Sequence, residues 1–161
     1  MESGSVHIDD VNSRYPFADV GIVVQAYLRD AEEHLASLEQ WARKRGTPVT
    51  VRLVKGAYWD AEIKQAQERG LPGFPVFTRK PATDASYLAS ARRLLDARGR
   101  IYPQFATHNA HTVAAVLAMA GDRQGFEFQR LHGMGEALHE IVREREGTRC
   151  RIYAPVWAHR D

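Results

Sequence analysis

The sequence predicts an α/β fold, in which a parallel sheet is covered by outer helices. Short apolar runs alternate along the chain with segments whose apolar residues recur at helical spacing. Such alternation is typical of parallel strands joined by right-handed helical crossovers. The chain has 161 residues, of which 44% are apolar. This length suffices for one globular domain with a core, and it is short for two.

The first predicted strand covers residues 21–28, a mostly apolar run that is rich in β-branched residues and too short for an average helix. Asp30, with Glu33 three residues later, has the pattern of a capping box. Gly46 follows a basic run and is typical of a helix end. We therefore expect Asp30 to cap a helix that ends at Gly46.

The second predicted strand covers residues 49–55, and a helix over residues 60–69 follows it. Residues 71–84 hold three prolines and form one long irregular stretch, which inside a compact domain is often functional. Asp84 is expected to cap the next helix. The remaining predicted elements are a helix over 85–98, strands over 101–107, 126–131 and 151–156, and helices over 110–120, capped by Asn109, and 136–146.

Composition narrows the class of protein. Residues 1–18 are polar without a consistent period and are expected to form a flexible leader before one domain over residues 19–161. The single cysteine, Cys150, excludes an internal disulfide and is expected to be a thiol at the edge of a strand. A formal charge of only +2 argues against nucleic acid as a partner of this segment. Because no run of about 18 apolar residues occurs, we expect a cytoplasmic chain.

Two architectures share this alternation, an open doubly wound sheet and a (β/α)8 barrel. The first predicted strand-to-helix junction contains no glycine, which disfavours a dinucleotide-binding open sheet. Polar residues occur instead at the ends of successive predicted strands, namely Gln25, Arg52 with Lys55, Thr107 with His108, Gln129 and Tyr153. A site assembled from many strand ends is typical of the barrel.

Arg52 and Lys55 are unusual because they interrupt the apolar run of the second predicted strand. A cation in a buried strand must meet a group that neutralises it, so we expect an anionic ligand at the carboxyl end of this strand. Gly56 and Ala57 would offer free main-chain N–H groups to a phosphate. An internal salt bridge for Arg52 and a solvated strand end for Lys55 are the alternatives.

His108 lies where a predicted strand becomes a helix, beside Asn109. A metal site would pair His108 with His111 or His132, but no carboxylate lies at a recognisable ligand spacing, so no metal site is predicted. A histidine that contacts a bound ring and a structural histidine both stay open. His139 has no motif around it and is expected at the surface.

The chain resembles, over nearly everything between residues 19 and 156, the proline dehydrogenase domain of the bacterial bifunctional proline utilization A flavoproteins. The motifs that carry the resemblance are GIVVQAYL, VRLVKGAYWD, FTRKPATD, QFATHNAH, FQRLHGMGE and RIYAPV, in the same order. The resemblance implies that this chain supplies about strands 4 to 8 of a (β/α)8 barrel. The parent enzyme would bind FAD, oxidise L-proline to Δ1-pyrroline-5-carboxylate and pass the electrons to membrane quinone.

The resemblance also implies where individual residues contact FAD. The isoalloxazine ring would receive hydrogen bonds from Gln25 and Arg52. The pyrophosphate side would be held by Lys55, Gly56 and Ala57. The ribityl or adenosine portion would be bordered by Trp59, Thr78 and Lys80. The flavin would be lined by Thr107, His108, Asn109, Gln129 and Leu131.

The resemblance makes Arg52, Tyr58 and Tyr153 the expected catalytic residues, with the two tyrosines beside the proline pocket. Hydride transfer to a flavin leaves the ring electron-rich, and a fixed guanidinium stabilises that charge without reorganising water. Arginine suits this role better than lysine because it stays protonated and offers a planar fork.

The resemblance covers only part of a barrel, which typically takes about 250 residues. The family's strands 1 to 3, with an additional active-site lysine and aspartate, have no counterpart here, nor does the final helix whose paired arginines grip the proline carboxylate. Trp157 stands where the family usually has glycine. The alternative function is therefore a non-catalytic half-barrel that binds a ligand or self-associates. For the parent, the expected partners are L-proline, quinone and, peripherally, the inner membrane.

The isolated 161-residue chain is expected to lack proline dehydrogenase activity and to bind FAD weakly or not at all. The reason is that an incomplete barrel leaves unpaired sheet edges and an uncovered inner face. A proline:dye oxidoreductase assay on the purified chain measures this. Turnover above the rate without protein would contradict the expectation.

Overall fold

Strands and helices alternate along residues 21–154, the part of the chain that the computed structural model describes. The strands are β1 (Gly21–Gln25), β2 (Val49–Val54), β3 (Ile101–Ala106), β4 (Glu127–Leu131) and β5 (Arg149–Tyr153). The helices are α1 (Ala31–Arg45), α2 (Trp59–Glu68), α3 (Lys80–Asp96), α4 (Ala110–Ala120) and α5 (Glu136–Glu146). The expected leader and Trp157 lie outside the described residues.

All five strands are parallel, and their order in the sheet is the order in the sequence, from β1 to β5. This arrangement follows from short crossovers that return each strand beside the preceding one. The predicted α/β fold with a parallel sheet is confirmed. Within residues 21–154, β1 and β5 each have a neighbouring strand on one side only.

The two faces of the sheet differ in chemistry because successive strand residues point to opposite sides. One face packs against the helices through buried apolar side chains, among them Val51, Phe105 and Phe128. Phe126 joins this core, and its ring centroid lies 5.8 Å from those of Phe105 and Phe128. The other face carries polar residues, among them Arg52, Gln104, Glu127, Gln129 and Arg151.

Several element boundaries differ from prediction. β1 ends at Gln25, three residues early, because the Leu28 amide turns back to the Gln25 carbonyl at 3.2 Å. β2 ends at Val54, which places Lys55 beyond the strand. β5 begins at Arg149, two residues early, and the predicted end of this strand at residue 156 lies outside the described residues.

The predicted helix caps have mixed outcomes. Asn109 caps α4 as expected, because its side chain accepts a hydrogen bond from the Thr112 amide at 3.0 Å. Gly46 ends α1 in the left-handed conformation, with φ of 74°. Asp30 makes no capping hydrogen bond, and its carboxylate lies 3.4 Å from His34 Nε2 instead. Asp30 therefore occupies the N-cap position of α1, as expected, but the predicted capping-box hydrogen bond is wrong.

The expected Asp84 cap is also wrong, because α3 begins earlier, at Lys80. Pro81 suits the first turn of a helix, where its missing N–H needs no partner. Asp84 therefore lies one turn inside α3, and its carboxylate is free to bind other groups. Cys150 is half-buried and is the second residue of β5, near the edge of a strand as expected. None of the described helices is both long enough and apolar enough to cross a membrane.

Truncation of Phe105 should destabilise the chain strongly. Phe105 is fully buried among aromatic rings, so Phe105→Ala is expected to lower the free energy of unfolding by about 3–5 kcal/mol. Ile141→Ala removes a side chain that is 48% exposed and should change the free energy of unfolding by less than about 0.5 kcal/mol. Urea unfolding of the two variants measures the difference, and equal losses would contradict the proposed core.

Candidate functional site

The carboxyl ends of the strands border a cavity of about 620 Å³, which we call the strand-end cavity. Its lining brings together residues that the sequence predicts for one site, including Arg52, Lys55, Gly56, Ala57, Thr107, His108, Asn109 and Tyr153. They converge because parallel strands end at the same edge of the sheet. Lys55 reaches this cavity together with Arg52 because β2 has ended before it.

Arg52 presents a free hydrogen-bond donor beside the strand-end cavity. Its guanidinium carbon lies 4.0 Å from the centroid of the Tyr153 ring, a cation–π contact that holds the group in place. Its Nε is buried and has no hydrogen-bond partner among the described residues. The alternative of an internal salt bridge is not observed within residues 21–154. A buried unpartnered donor favours a ligand that accepts a hydrogen bond there.

Lys55 and Lys80 share one carboxylate. Lys55 Nζ lies 2.5 Å from Asp84 Oδ1, and Lys80 Nζ lies 2.7 Å from Asp84 Oδ2. These hydrogen bonds, first that from Lys55 and then that from Lys80, hold the pKa of Asp84 below its usual value. Lys55 is therefore an ion-paired residue that is only 27% exposed, rather than a solvated strand end.

A second cavity, of about 340 Å³, adjoins the strand-end cavity, and we call it the lysine cavity. The two cavities share Lys55 and Gly56 in their linings. Trp59, Thr78 and Lys80, which the family resemblance places on one part of the ligand, all line the lysine cavity. The Trp59 indole donates a hydrogen bond to the Phe77 carbonyl at 2.9 Å, which orients the ring.

Gly56 is required where the two cavities meet. Its φ is 134°, and a Cβ atom at this position would lie 2.4 Å from the Tyr27 ring. The main chain of Tyr27 also connects the surrounding segments, because its amide donates to the Lys55 carbonyl and its carbonyl accepts from the Phe77 amide, both at 2.8 Å. Tyr27 therefore joins the ends of β1 and β2 to the segment before α3.

His108 is both hydrogen-bonded and at the strand-end cavity. The Leu131 amide donates to His108 Nε2 at 3.3 Å, so the ring proton lies on Nδ1. Burial, and then the nearby His139 and Arg130, lower the pKa of His108. The imidazole is therefore uncharged at neutral pH and presents one N–H donor.

His139 lies in the interior, so the expected surface position is wrong. It is 3% exposed, its Nε2 lies 2.9 Å from the Thr107 carbonyl, and its ring contacts Phe128 at 5.9 Å between centroids. It was missed because a single histidine on an amphipathic helix has no sequence signal. Through Thr107, His139 supports the wall of the strand-end cavity.

Four other expected site residues lie outside the linings of both cavities. Tyr58 is 70% exposed. Gln25 and Leu131 lie at the ends of their strands, paired in register with Val54 and Tyr153. Gln129 is buried, and its amide nitrogen lies 3.2 Å from Glu127 Oε1. The structure thus brings most of the expected residues around two adjoining cavities and leaves these four outside both linings.

Glu127 is a residue of the polar face that sequence reasoning missed. It is 3% exposed, and its carboxylate accepts hydrogen bonds from Arg151 Nε at 2.6 Å and from Gln104 Nε2 at 2.6 Å, besides that from Gln129. Burial raises the pKa of Glu127, but the hydrogen bonds from Arg151 and Gln129 outweigh it, so the pKa lies below its usual value. The sequence signal that could have revealed Glu127 is its acidic side chain within a strand, because no other acidic residue occurs in the five strands described.

The described residues hold no group of three histidine, cysteine, aspartate or glutamate side chains that could bind a metal ion. What the two cavities offer instead is a guanidinium, two ammonium groups and an uncharged imidazole. This set suits a ligand with both an aromatic ring and an anionic portion.

Fold and site together define a portion of a (β/α)8 barrel with a ligand site at the carboxyl ends of its strands. The chain belongs to the Proline dehydrogenase family, whose match covers residues 7–161. It is 50% identical over 151 residues to the Bifunctional protein PutA of Escherichia coli, covering 87% of this chain and 11% of that protein. It is also 33% identical over 141 residues to Proline dehydrogenase 1, mitochondrial, of Arabidopsis thaliana, a match that covers 82% of this chain and 28% of that protein.

Solved structures agree with this family. A crystal structure of bifunctional proline utilization A superposes with a TM-score of 0.86 at 52% identity, covering 92% of this chain and 16% of that one. Proline utilization A from Bdellovibrio bacteriovorus, inactivated by N-propargylglycine, gives a TM-score of 0.86 at 44% identity, covering 93% and 16%. The expected partial barrel is thereby confirmed. The chain spans about a ninth of the length of its Escherichia coli relative.

Alanine at position 56 should be far more costly than at another left-handed glycine. Gly70 has a φ of 61° and open space around it, so Gly70→Ala is expected to cost about 1 kcal/mol. Gly56→Ala adds a collision with the Tyr27 ring and should cost about 3 kcal/mol or more. Urea unfolding compares the variants, and similar losses would refute the close packing of Tyr27 on Gly56.

Glu127 should contribute stability that depends on pH. A carboxyl whose pKa is lower in the folded chain stabilises it above the unfolded pKa, and this stability is lost as the pH falls through the folded value. Glu127→Gln is expected to cost about 1–3 kcal/mol at pH 7, and less as the pH falls below 4.5. Urea unfolding of both proteins across a pH series measures the difference, which would stay constant if Glu127 were not ion-paired.

Proposed function

We propose that this chain forms part of the active site of an FAD-dependent proline dehydrogenase, which oxidises L-proline to Δ1-pyrroline-5-carboxylate. The observation that carries the proposal is the unpartnered, buried Arg52 Nε beside the strand-end cavity of a chain of this family. A donor in that position costs free energy unless a ligand accepts from it.

The residues around the two cavities fit FAD. The flavin ring is planar and rich in acceptor atoms, which suits the Arg52 donor and the strand-end cavity. The lysine cavity adjoins it through Lys55 and Gly56, so one elongated ligand can contact both. Lys80, expected along the ribityl or adenosine portion, is bridged to Lys55 by Asp84, so both lysines supply positive charge where an anionic diphosphate would lie. Trp59, with an exposed and oriented indole, borders the same cavity.

When bound, the flavin supplies the acceptor for the hydride that leaves proline. The contact of Arg52 with the Tyr153 ring fixes the guanidinium before the reaction. A cation that is already in place stabilises developing negative charge without reorganisation. His108 and Thr107 form an uncharged, hydrogen-bonded wall of the cavity. Tyr58 and Tyr153 are proposed to border the proline.

The proposal extends to partners of the whole enzyme. Quinone would take the electrons, and the enzyme, otherwise cytoplasmic, would contact the inner membrane peripherally. Their support is the family to which the chain belongs. Lysine and aspartate from other barrel strands, and paired arginines from a further helix, would complete the proline pocket.

A second candidate is a non-catalytic half-barrel that self-associates. It is favoured by the two sheet edges, at β1 and β5, that lack a second neighbour within residues 21–154. Unpaired parallel edges are templates for pairing with another chain. Light scattering of the purified 161-residue chain tests it, since a stable oligomer without flavin would favour this function and a monomer would contradict it.

Substitution of Arg52 tests the principal proposal in the protein produced from its complete reading frame. Arg52→Lys is expected to lower kcat/KM for proline by about 10²–10³, the effect of losing one preorganised donor. Arg69→Lys, at an exposed position after α2, is the matched control and should keep full activity. Equal activity of the two variants, or a wild-type protein that binds no FAD, would contradict the proposal.

A further inference from the structure

One carboxylate, Asp84, bridges two lysines from different parts of the chain. Its Oδ1 binds Lys55, 29 residues away at the end of β2, and its Oδ2 binds Lys80, one turn earlier in α3. Both oxygens are therefore used, each on a different ammonium group. This bridge differs from an ordinary surface pair because it connects the sheet to α3 at the wall of a cavity.

The bridged lysines keep most of their donors. An ammonium group has three N–H donors, and Asp84 takes one from each lysine. Within the described residues neither lysine has another side-chain partner, so four donors remain. Two positive charges against one negative charge leave the cluster with a net charge of +1. Such a cluster can accept an anion with several oxygens.

We infer that Asp84 is a positioning residue, which holds Lys55 and Lys80 at a fixed separation as a two-point seat for the diphosphate of the cofactor. The inference rests on the proposed FAD-dependent function. Asp84 would not touch the diphosphate through its own oxygens, because the carboxylate and the diphosphate are both negatively charged and repel each other. Its effect would pass through the two ammonium groups.

The physical reason is the flexibility of lysine. A lysine side chain has many rotamers and loses about 2 kcal/mol of entropy when fixed. Two neighbouring ammonium groups also repel each other, and a bridging carboxylate offsets the repulsion. In the bridged cluster the lysines lose this entropy, and their repulsion is offset, when the chain folds and before a ligand binds. Preorganisation of this kind raises affinity for the ligand.

Positioning and simple charge neutralisation predict opposite results when Asp84 is replaced. Asp84→Asn removes a negative charge from the cluster, so Coulomb attraction alone would tighten the binding of an anion. If Asp84 positions the lysines, the same change frees them and weakens binding. Asp84→Glu separates the two ideas further, because it keeps the charge and displaces the carboxylate by one methylene.

The test measures dissociation constants of FAD and of riboflavin, which has no phosphate, for the protein produced from its complete reading frame. Asp84→Asn is expected to bind FAD about tenfold more weakly, the effect of one lost hydrogen bond to a charged group. Asp84→Glu should also bind FAD more weakly, and riboflavin binding should stay unchanged in both. Glu68→Gln, which breaks the exposed pair with Lys64, is the control of equal charge change and should bind FAD as the wild type does.

Each other outcome overturns the inference. FAD binding that is equal to the wild type or tighter in Asp84→Asn would make Asp84 a neutralising group. Equal losses for FAD and riboflavin would make it a structural link between β2 and α3. If Asp84→Asn fails to fold, the FAD-to-riboflavin ratio of Asp84→Glu decides. A wild-type protein that binds no FAD would overturn the proposed function as well, whereas normal wild-type binding with unaffected variants overturns only this inference.

Discussion

The structure depends on how the five parallel strands are aligned. Side chains alternate between the two faces of the sheet along each strand, so this alignment decides which residues share a face. Because the strands lie side by side in sequence order, Arg52 lies opposite Gln104, and Gln104 lies opposite Glu127. The intervening residues turn to the other face and pack against the helices. One geometric rule thus separates an apolar core from a polar face and brings every strand end to the same edge. A slip of one residue in any strand would move its apolar side chains to the polar face and its polar side chains into the core.

On the polar face, Arg52 forms no ion pair with a carboxylate of the described residues. Glu127 is the only carboxylate carried by the described strands, and Arg151 from the neighbouring strand occupies it. Arg52 lies in the same cross-strand row as Glu127 but contacts the Tyr153 ring instead. An aromatic face holds a guanidinium without consuming its N–H donors. The Tyr153 ring therefore holds the Arg52 guanidinium in position and leaves its N–H donors for a ligand.

Local sequence signals predicted most of the fold, and contacts distant in sequence account for what they missed. Alternating apolar runs, the Asn109 cap and Gly46 depend on neighbours a few residues away, and all three were correct. Likewise, Arg52 and Lys55 stood out because charge is rare in a buried strand. Asp84 and His139 did not, because the bridge to Lys55 and the burial against Phe128 exist only in the folded chain. For Asp84, a plausible local role also concealed the long-range one.

The main-chain contacts of Tyr27 have a consequence for motion. The segment between α2 and α3 contains no long element, yet Val76 is fully buried and forms an antiparallel bridge with Leu28. The Phe77 amide donates to Tyr27 beside it. Hydrogen exchange at this amide requires the segment to detach from the end of β1. Main-chain contacts therefore tie the segment to the end of β1 as they would an additional short strand, and we expect it to move with the sheet and not to open as a lid.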